Sequence, residues 1–386
     1  MRLTIKRTEF LRLLNFAGQA VPSKSAEKQF MNYLIEVRED GVSVIASDGD
    51  ISAKAGQSLK NRNGEDVILS AEPGLIQAPA KYLLDIVSKL GGEIITLSMV
   101  DTNFLNISDD ITNFNLVTQE GEEYPNVDLN VPEEQDPFYA KVSDLKALYD
   151  ATSFAAATRG PKEVYFTINV RAKDSRLYFL TTDSYRMARL SKPTDNDDSI
   201  EFRFNCPVKA MNMVTSIAQD DVCAIYHDDT RALFVCPDVT VSTRLVRGDF
   251  PAPESLIPAQ FTHILNIDTD EFLSAADRVR IISAAEDKNS QVRLILTRDS
   301  VKLFAKSANY GNSEEILKKA SVILPEGEDI FEIGFNVDFV TDAVKALKTK
   351  SASLCFTSPT RMFMAKSADE ENLQIMTPIR ISSFSH

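Results

Sequence analysis

The chain has no tryptophan, three histidines and four cysteines among 386 residues. Scarce histidine removes the commonest general base and metal ligand from most of the sequence. His227, His263 and His386 are scattered, and the cysteines, at 206, 223, 236 and 355, form no CxxC pair. Cys223, His227 and Cys236 fall on neighbouring expected strands, but a zinc site takes four ligands in a compact set and this trio lacks one. Reduced, buried thiols are the expectation, as in a cytoplasmic protein. No GxSxG, HExxH, GxxxxGK[ST] or GxGxxG occurs, and Cys355 has no histidine in its own segment to activate it. The acidic runs at 109–110, 195–198 and 220–221 read as solvated turns. No constellation for catalysis is expected, and neither a metal nor an organic cofactor. No run of eighteen apolar residues suits a membrane span, and the start, MRLTIKRTEF, lacks the apolar stretch of a signal peptide.

What is present is an acidic globular composition, 44% hydrophobic and 25% charged, with 42 basic against 56 acidic residues and a net charge of −14. Such a balance excludes coating a nucleic acid with the whole surface, but not offering it one less acidic face. The length suits two or three domains.

A weak repeat of roughly 125–135 residues recurs three times in three features. First, a short strand runs into a helix with apolar residues at helical spacing: LTIKRTEFLRLLNFA, YAKVSDLKALYDATSFAAA and LNIDTDEFLSAADRVRII. Thr8, Ser143, and Thr269 or Asp270 are the expected caps. Second, GVSVIASD (41–48), RLYFLTTD (176–183) and SVKLFAKS (300–307) alternate at period two before a polar turn. Third, strand-to-helix passages align at Pro79, Pro207 and Asn336, where proline suits a first helical turn and asparagine a cap. Proline-broken linkers at 123–137 and 249–260 divide the chain into domains 1–133, 134–262 and 263–386. The fold class is α+β: three repeated domains, each with two helices on an antiparallel sheet. The expected helices, 7–19, 80–91, 143–157, 207–218, 269–281 and 337–350, carry 11 basic and 9 acidic residues, so they hold +2 and the rest of the chain −16.

Four motifs in order carry a family resemblance. TTDSYRMA (181–188) resembles T-D-[GS]-H-R-L-A, and LVRGDFPAPESLIP (245–258) resembles L-[IV]-x-G-x-[FY]-P-x-[FY]-x-x-[LV]-[IL]-P, with EYPNVD a weaker copy. EIGFNVDFVTDAVKAL (332–347) resembles E-I-[AG]-F-N-x-x-[FY]-[LV]-x-[DE]-[AV]-L-x-x-[LI], and MTPIRI (376–381) resembles M-P-[MV]-R-L. Over residues 1 to about 381 the chain is similar to the bacterial sliding clamps, the beta subunits of DNA polymerase III.

The resemblance implies a head-to-tail homodimer closing as a ring on double-stranded DNA, helices inward, with no catalysis of its own. Polymerase terms would apply only through the holoenzyme. It implies DNA-facing residues at Lys24, Lys81 and Lys209, with Tyr165 and Phe166 on a DNA-contacting loop. It places a pocket for a Gln-Leu-x-Leu-Phe-like motif between the second and third domains, used by the replicative polymerase, the clamp loader and repair polymerases. The walls would be Thr182, Tyr185, Arg186, Met187, Pro251, Leu256, Asn336, Phe339, Met362, Met376, Pro378, Ile379 and Arg380, with Thr167, Ser255 and Thr360 beside them. Phe114 and Leu116 on one side, and Ile281 and Ile282 on the other, would meet across the ring seam. The localisation implied is cytoplasmic, at the nucleoid. Two departures stand out: Tyr185 occupies the family's usual histidine position, and Ser382–His386 extend past the usual end.

Overall fold

The computed structural model describes every residue except 102, 219, 253–256, 259, 286–289, 369–370 and 381–386. Six helices are described: α1 (Arg7–Gly18), α2 (Ala80–Lys89), α3 (Val142–Thr152), α4 (Val208–Thr215), α5 (Thr269–Ser283) and α6 (Val337–Ala346). All strand pairings are antiparallel in the four sheets described. No described helix is long and apolar enough to cross a membrane.

Contacts divide the chain into two compact units, Met1–Leu145 with Lys209–Leu245, and Lys146–Val208 with Val246–His386. Each unit therefore joins a terminal repeat to part of the central one. In the first unit a nine-stranded sheet is continuous across the repeat boundary: strand Ile51–Ser58 pairs with Val239–Arg244, as Val241 opposite Ala53. In the second unit another nine-stranded sheet does the same, pairing Arg186–Pro193 with Leu373–Met376 so that Met187 faces Ile375. Joining repeats through a ladder uses backbone groups that would otherwise form open sheet edges. Each unit also carries a smaller sheet. The first has five strands with Asn113–Val117 at one edge, and the second has four with Gly311–Leu317 at one edge.

The strand-to-helix passages are tighter than the expected caps imply. Thr8 and Ser143 lie inside α1 and α3, which start at Arg7 and Val142, so neither is a cap. The strands lead straight into the helices, and residues just ahead of neighbouring strands take up the first N–H groups. Arg7 donates to the carbonyl of Glu93 and Val142 to that of Asp221, so a capping side chain is not required. In α5 the cap is Asp268, one residue before the expected pair, its carboxylate accepting from the N–H of Glu271. Asn336 caps α6 as expected, accepting from Asp338 and Phe339. Pro79 stands at the N-cap of α2, just before the expected first turn.

The strands 41–47, 176–182 and 301–307 end in the expected turns, all built alike. Asp48 Oδ1 accepts from the N–H groups of Asp50 and Ile51, Asp183 Oδ1 from Tyr185 and Arg186, and Ser307 Oγ from Asn309 and Tyr310. A short polar side chain two residues ahead of an N–H closes such a turn, and serine does what aspartate does elsewhere. All four cysteines are buried and none is in a disulfide. In the third repeat Phe272, Phe331, Phe335, Phe356 and Phe363 fill a core closed by α5 and α6. Each such side chain contributes about 1.5–3 kcal/mol by leaving water.

Candidate functional site: the rim of the second unit

The turn after strand Arg176–Thr182 sets the site. Thr182 is buried, and its hydroxyl donates to the carbonyl of Arg186 at 2.7 Å while accepting from the N–H of Ser184 at 3.1 Å. Ser184 takes a φ of 78°, the left-handed conformation that lets so short a turn close. The turn is tied to the C-terminal segment, since Thr377 donates both its N–H and its hydroxyl to the carbonyl of Tyr185 at 2.9 Å. Two residues on, Ile379 donates to the carbonyl of Gly334, just ahead of the Asn336 cap. Residues 182–187, 334–339 and 376–379 are thus stitched into one rim by main-chain bonds.

Arg186 fills the centre of that rim. Its guanidinium donates to Asp183 Oδ2 at 3.1 Å, Asp342 Oδ2 at 2.7 Å and the carbonyl of Phe154 at 2.6 Å. It lies over the rings of Phe339 and Phe154, 4.4 and 5.3 Å from their centroids. A guanidinium that is bonded in its plane and stacked on its face cannot swing to a ligand, so it serves as a rigid floor. Beside it Leu180, Met187 and Ile375 form a small apolar cluster, covered by the half-buried Phe250, Ile257 and Met362.

The expected wall residues separate into three groups. Tyr185 is 62% exposed, and Phe339, Met362, Pro251, Pro378 and Ile379 are half-buried, so these present surface. Arg380 and Thr360 are exposed. Met187, Met376, Asn336, Thr182 and Thr167 are buried; they hold the walls rather than form them. Met376 packs into the third-repeat core, and the Thr167 hydroxyl donates to the carbonyl of Val164. Asn336 commits its oxygen to the cap of α6, which leaves its Nδ2 side as the donor. Ser255, Leu256 and Ser382–His386 lie outside the described residues. Phe154, Asp183 and Asp342, which fix Arg186, were not anticipated. No local pattern marks Asp342, because its partner is 156 residues away.

Lys24, in the loop after α1, and Lys81, on α2, are exposed, while Lys209 on α4 pairs with Asp48 Oδ2 at 2.7 Å. Tyr165 and Phe166 are half-buried in a short turn, where Tyr165 meets Phe250 edge-on at 6.4 Å and Lys162 sits over its ring. Phe114 is 39% exposed and Leu116 half-buried on the edge strand of the five-stranded sheet. Ile281 is 71% exposed on α5, whereas Ile282 packs on the third-repeat core. Among the described residues no three His, Cys, Asp or Glu side chains converge as a metal site needs.

Comparison with known proteins places this rim in context. Residues 1–128 match the model of the DNA polymerase III beta subunit N-terminal domain, 140–252 that of its central domain, and 254–380 that of its C-terminal domain. A beta sliding clamp of Streptococcus pneumoniae is 26% identical over 386 residues, covering 98% of this chain and 99% of the relative. One from Staphylococcus aureus is 28% identical over 388 residues, with the same coverage. The crystal structure of the DNA polymerase sliding clamp from Bacillus subtilis superposes with a TM-score of 0.91 at 26% identity, covering 99% of this chain and 100% of that one. The three domain models follow one another in order and leave only short stretches unmatched, so the chain belongs to the DNA polymerase III beta subunit family of non-catalytic processivity clamps.

Proposed function

We propose that the chain works as a ring of two copies that encircles double-stranded DNA and tethers DNA polymerase III and other partners through the rim of the second unit. The rim carries this reading: an immobilised arginine, a small apolar cluster and an exposed Tyr185 are stitched together by main-chain bonds. Such a surface takes an extended peptide bearing spaced leucine and phenylalanine, with Met362 adapting to different partners. The replicative polymerase, the clamp loader and repair polymerases with a Gln-Leu-x-Leu-Phe-like motif are the partners of this reading. The domain limits near 134 and 262 belong to it, as does a cytoplasmic, nucleoid-associated location.

The edge strands supply the seam. Strand Asn113–Val117, with Phe114 and Leu116, is one edge, and strand Gly311–Leu317 beside α5, with Ile281, is the other. Head-to-tail pairing of two copies satisfies both of these edges. The helical faces, with Lys24, Lys81 and Lys209 and the turn bearing Tyr165 and Phe166, are offered to the duplex. Their modest charge suits sliding, since many tight phosphate contacts would hold the ring in place. Light scattering tests the ring: the mass should be near twice 42.9 kDa, and Phe114→Arg should shift it towards monomer. An unchanged mass in that variant overturns the seam.

A further inference from the structure

The helical side of the first repeat holds a cavity of about 470 Å³ where the end of α1 meets the start of α2. Half-buried Val21, Met31 and Leu84 make its walls, and Asn15, Gln19 and Lys81 its rim. It exists because the chain leaves α1 at Gly18 against Tyr33. A Cβ on Gly18 would stand 2.6 Å from the Tyr33 hydroxyl, which is fixed by donating to the carbonyl of Leu14 at 2.9 Å. Gln19 is only loosely held, its Nε2 lying 3.4 Å from Ser216 Oγ. Ser23 also lines the cavity and leads directly to the exposed Lys24, while Tyr82, next to Lys81 on α2, is 62% exposed.

We propose that this cavity takes an unpaired base of single-stranded DNA, with Lys24 and Lys81 meeting the flanking phosphates. The inference rests on the reading that the helical faces meet DNA. Apolar walls with a few convergent polar groups are the general form of a small-ligand site, and the volume admits a purine. Two carboxamides at the mouth offer donors and acceptors to a base edge. The ammonium groups give charge complementarity to phosphate, and a peptide of leucine and phenylalanine would have no use for them. A base already unpaired needs no opening of the duplex, whereas a paired base does. The exposed ring of Tyr82 provides a stacking surface for its neighbour. Duplex DNA therefore slides past, and a single-stranded stretch beside a primer end is held in place.

The test uses the full chain and a thymidine strand carrying one 2-aminopurine, with emission and anisotropy followed together. Saturable binding with a change in 2-aminopurine emission is expected, together with weak competition by blunt duplex. Leu84→Trp, which fills the cavity, should weaken binding at least tenfold. Should that variant fail to fold, Asn15→Ala at an exposed position should still weaken it several-fold. Lys81→Gln should lower the salt dependence of binding by about one phosphate contact. Equal binding by wild type and both cavity variants, or equal competition by blunt duplex, overturns the proposal. Solution mass and partner-peptide binding measured on the same samples separate the outcomes: if both behave as a clamp's while the single strand does not bind, only this inference fails.

Discussion

At the junction of the first and second repeats Asp48 closes its turn and then pairs with Lys209; at the junction of the second and third, Asp183 closes the same turn and then pairs with Arg186. The backbone device is shared: both junctions run through a nine-stranded sheet. The side chains differ. In the first unit the cleft beside the turn, about 430 Å³, is lined by Ser47, Asp50, Ser52, Thr230, Arg231 and Arg244, and its arginines pair with Asp128 and Asp50. In the second unit the corresponding rim shows Met362, Phe250, Ile257 and Phe339 around a locked arginine. The same turn thus carries two different surfaces, one dominated by paired charges in the first unit and one more apolar in the second.

Substitutions at the two junctions sharpen that contrast. Arg186→Ala should have the largest effect, about 3 kcal/mol in urea unfolding, since it removes the guanidinium bonds to Asp183 Oδ2, Asp342 and the Phe154 carbonyl and unstacks Phe339. Its counterpart Lys209→Ala removes an exposed pair and should cost less than about 1 kcal/mol. Equal losses would break the comparison. Next comes Arg62→Ala in the first unit. Arg62 grips the buried Asp221 with two bonds, 2.6 and 2.9 Å, and reaches Asp238 at 2.6 Å. Stranding Asp221 should cost about 2 kcal/mol, less than the roughly 3–5 kcal/mol of a fully buried pair because Arg62 is itself half in water. Asn336→Ala should cost about 1 kcal/mol by uncapping α6, and should weaken peptide binding as the helix start loosens.

The smallest effect concerns acid. Arg278 donates two bonds to Glu315 and so joins α5 to the edge strand Gly311–Leu317; this holds the Glu315 carboxyl below its ordinary value. A depressed carboxyl stabilises the fold above the unfolded value, about 4.3, and that contribution is lost as pH falls through the lower folded value. Glu315→Gln should therefore shift the unfolding midpoint slightly at pH 7 and not at all at strongly acid pH.

Much of this architecture was legible in the sequence because it is local. Alternation set the strands 41–47 and 176–182, and helical spacing set α1, α5 and α6. The caps at Thr8 and Ser143 were misread because distant carbonyls of Glu93 and Asp221 serve the helix starts, and a local pattern carries no trace of them. The sheets that cross repeat boundaries and the Arg62 latch were illegible for the same reason. At the rim, the motifs pointed to Arg186 and Met187. Which of the named residues offer surface and which are buried beneath depends on packing between segments nearly two hundred residues apart.

Peptide binding at the second-unit rim tests the central claim most directly. Fluorescence anisotropy of a labelled Gln-Leu-x-Leu-Phe peptide should report micromolar binding by the wild type. Met362→Lys should abolish it; Met362 suits the test better than the buried Met187, where a lysine would endanger the fold itself. Arg231→Ala in the first-unit cleft should leave the affinity unchanged. No binding by the wild type, or binding that survives Met362→Lys but falls with Arg231→Ala, would contradict the account.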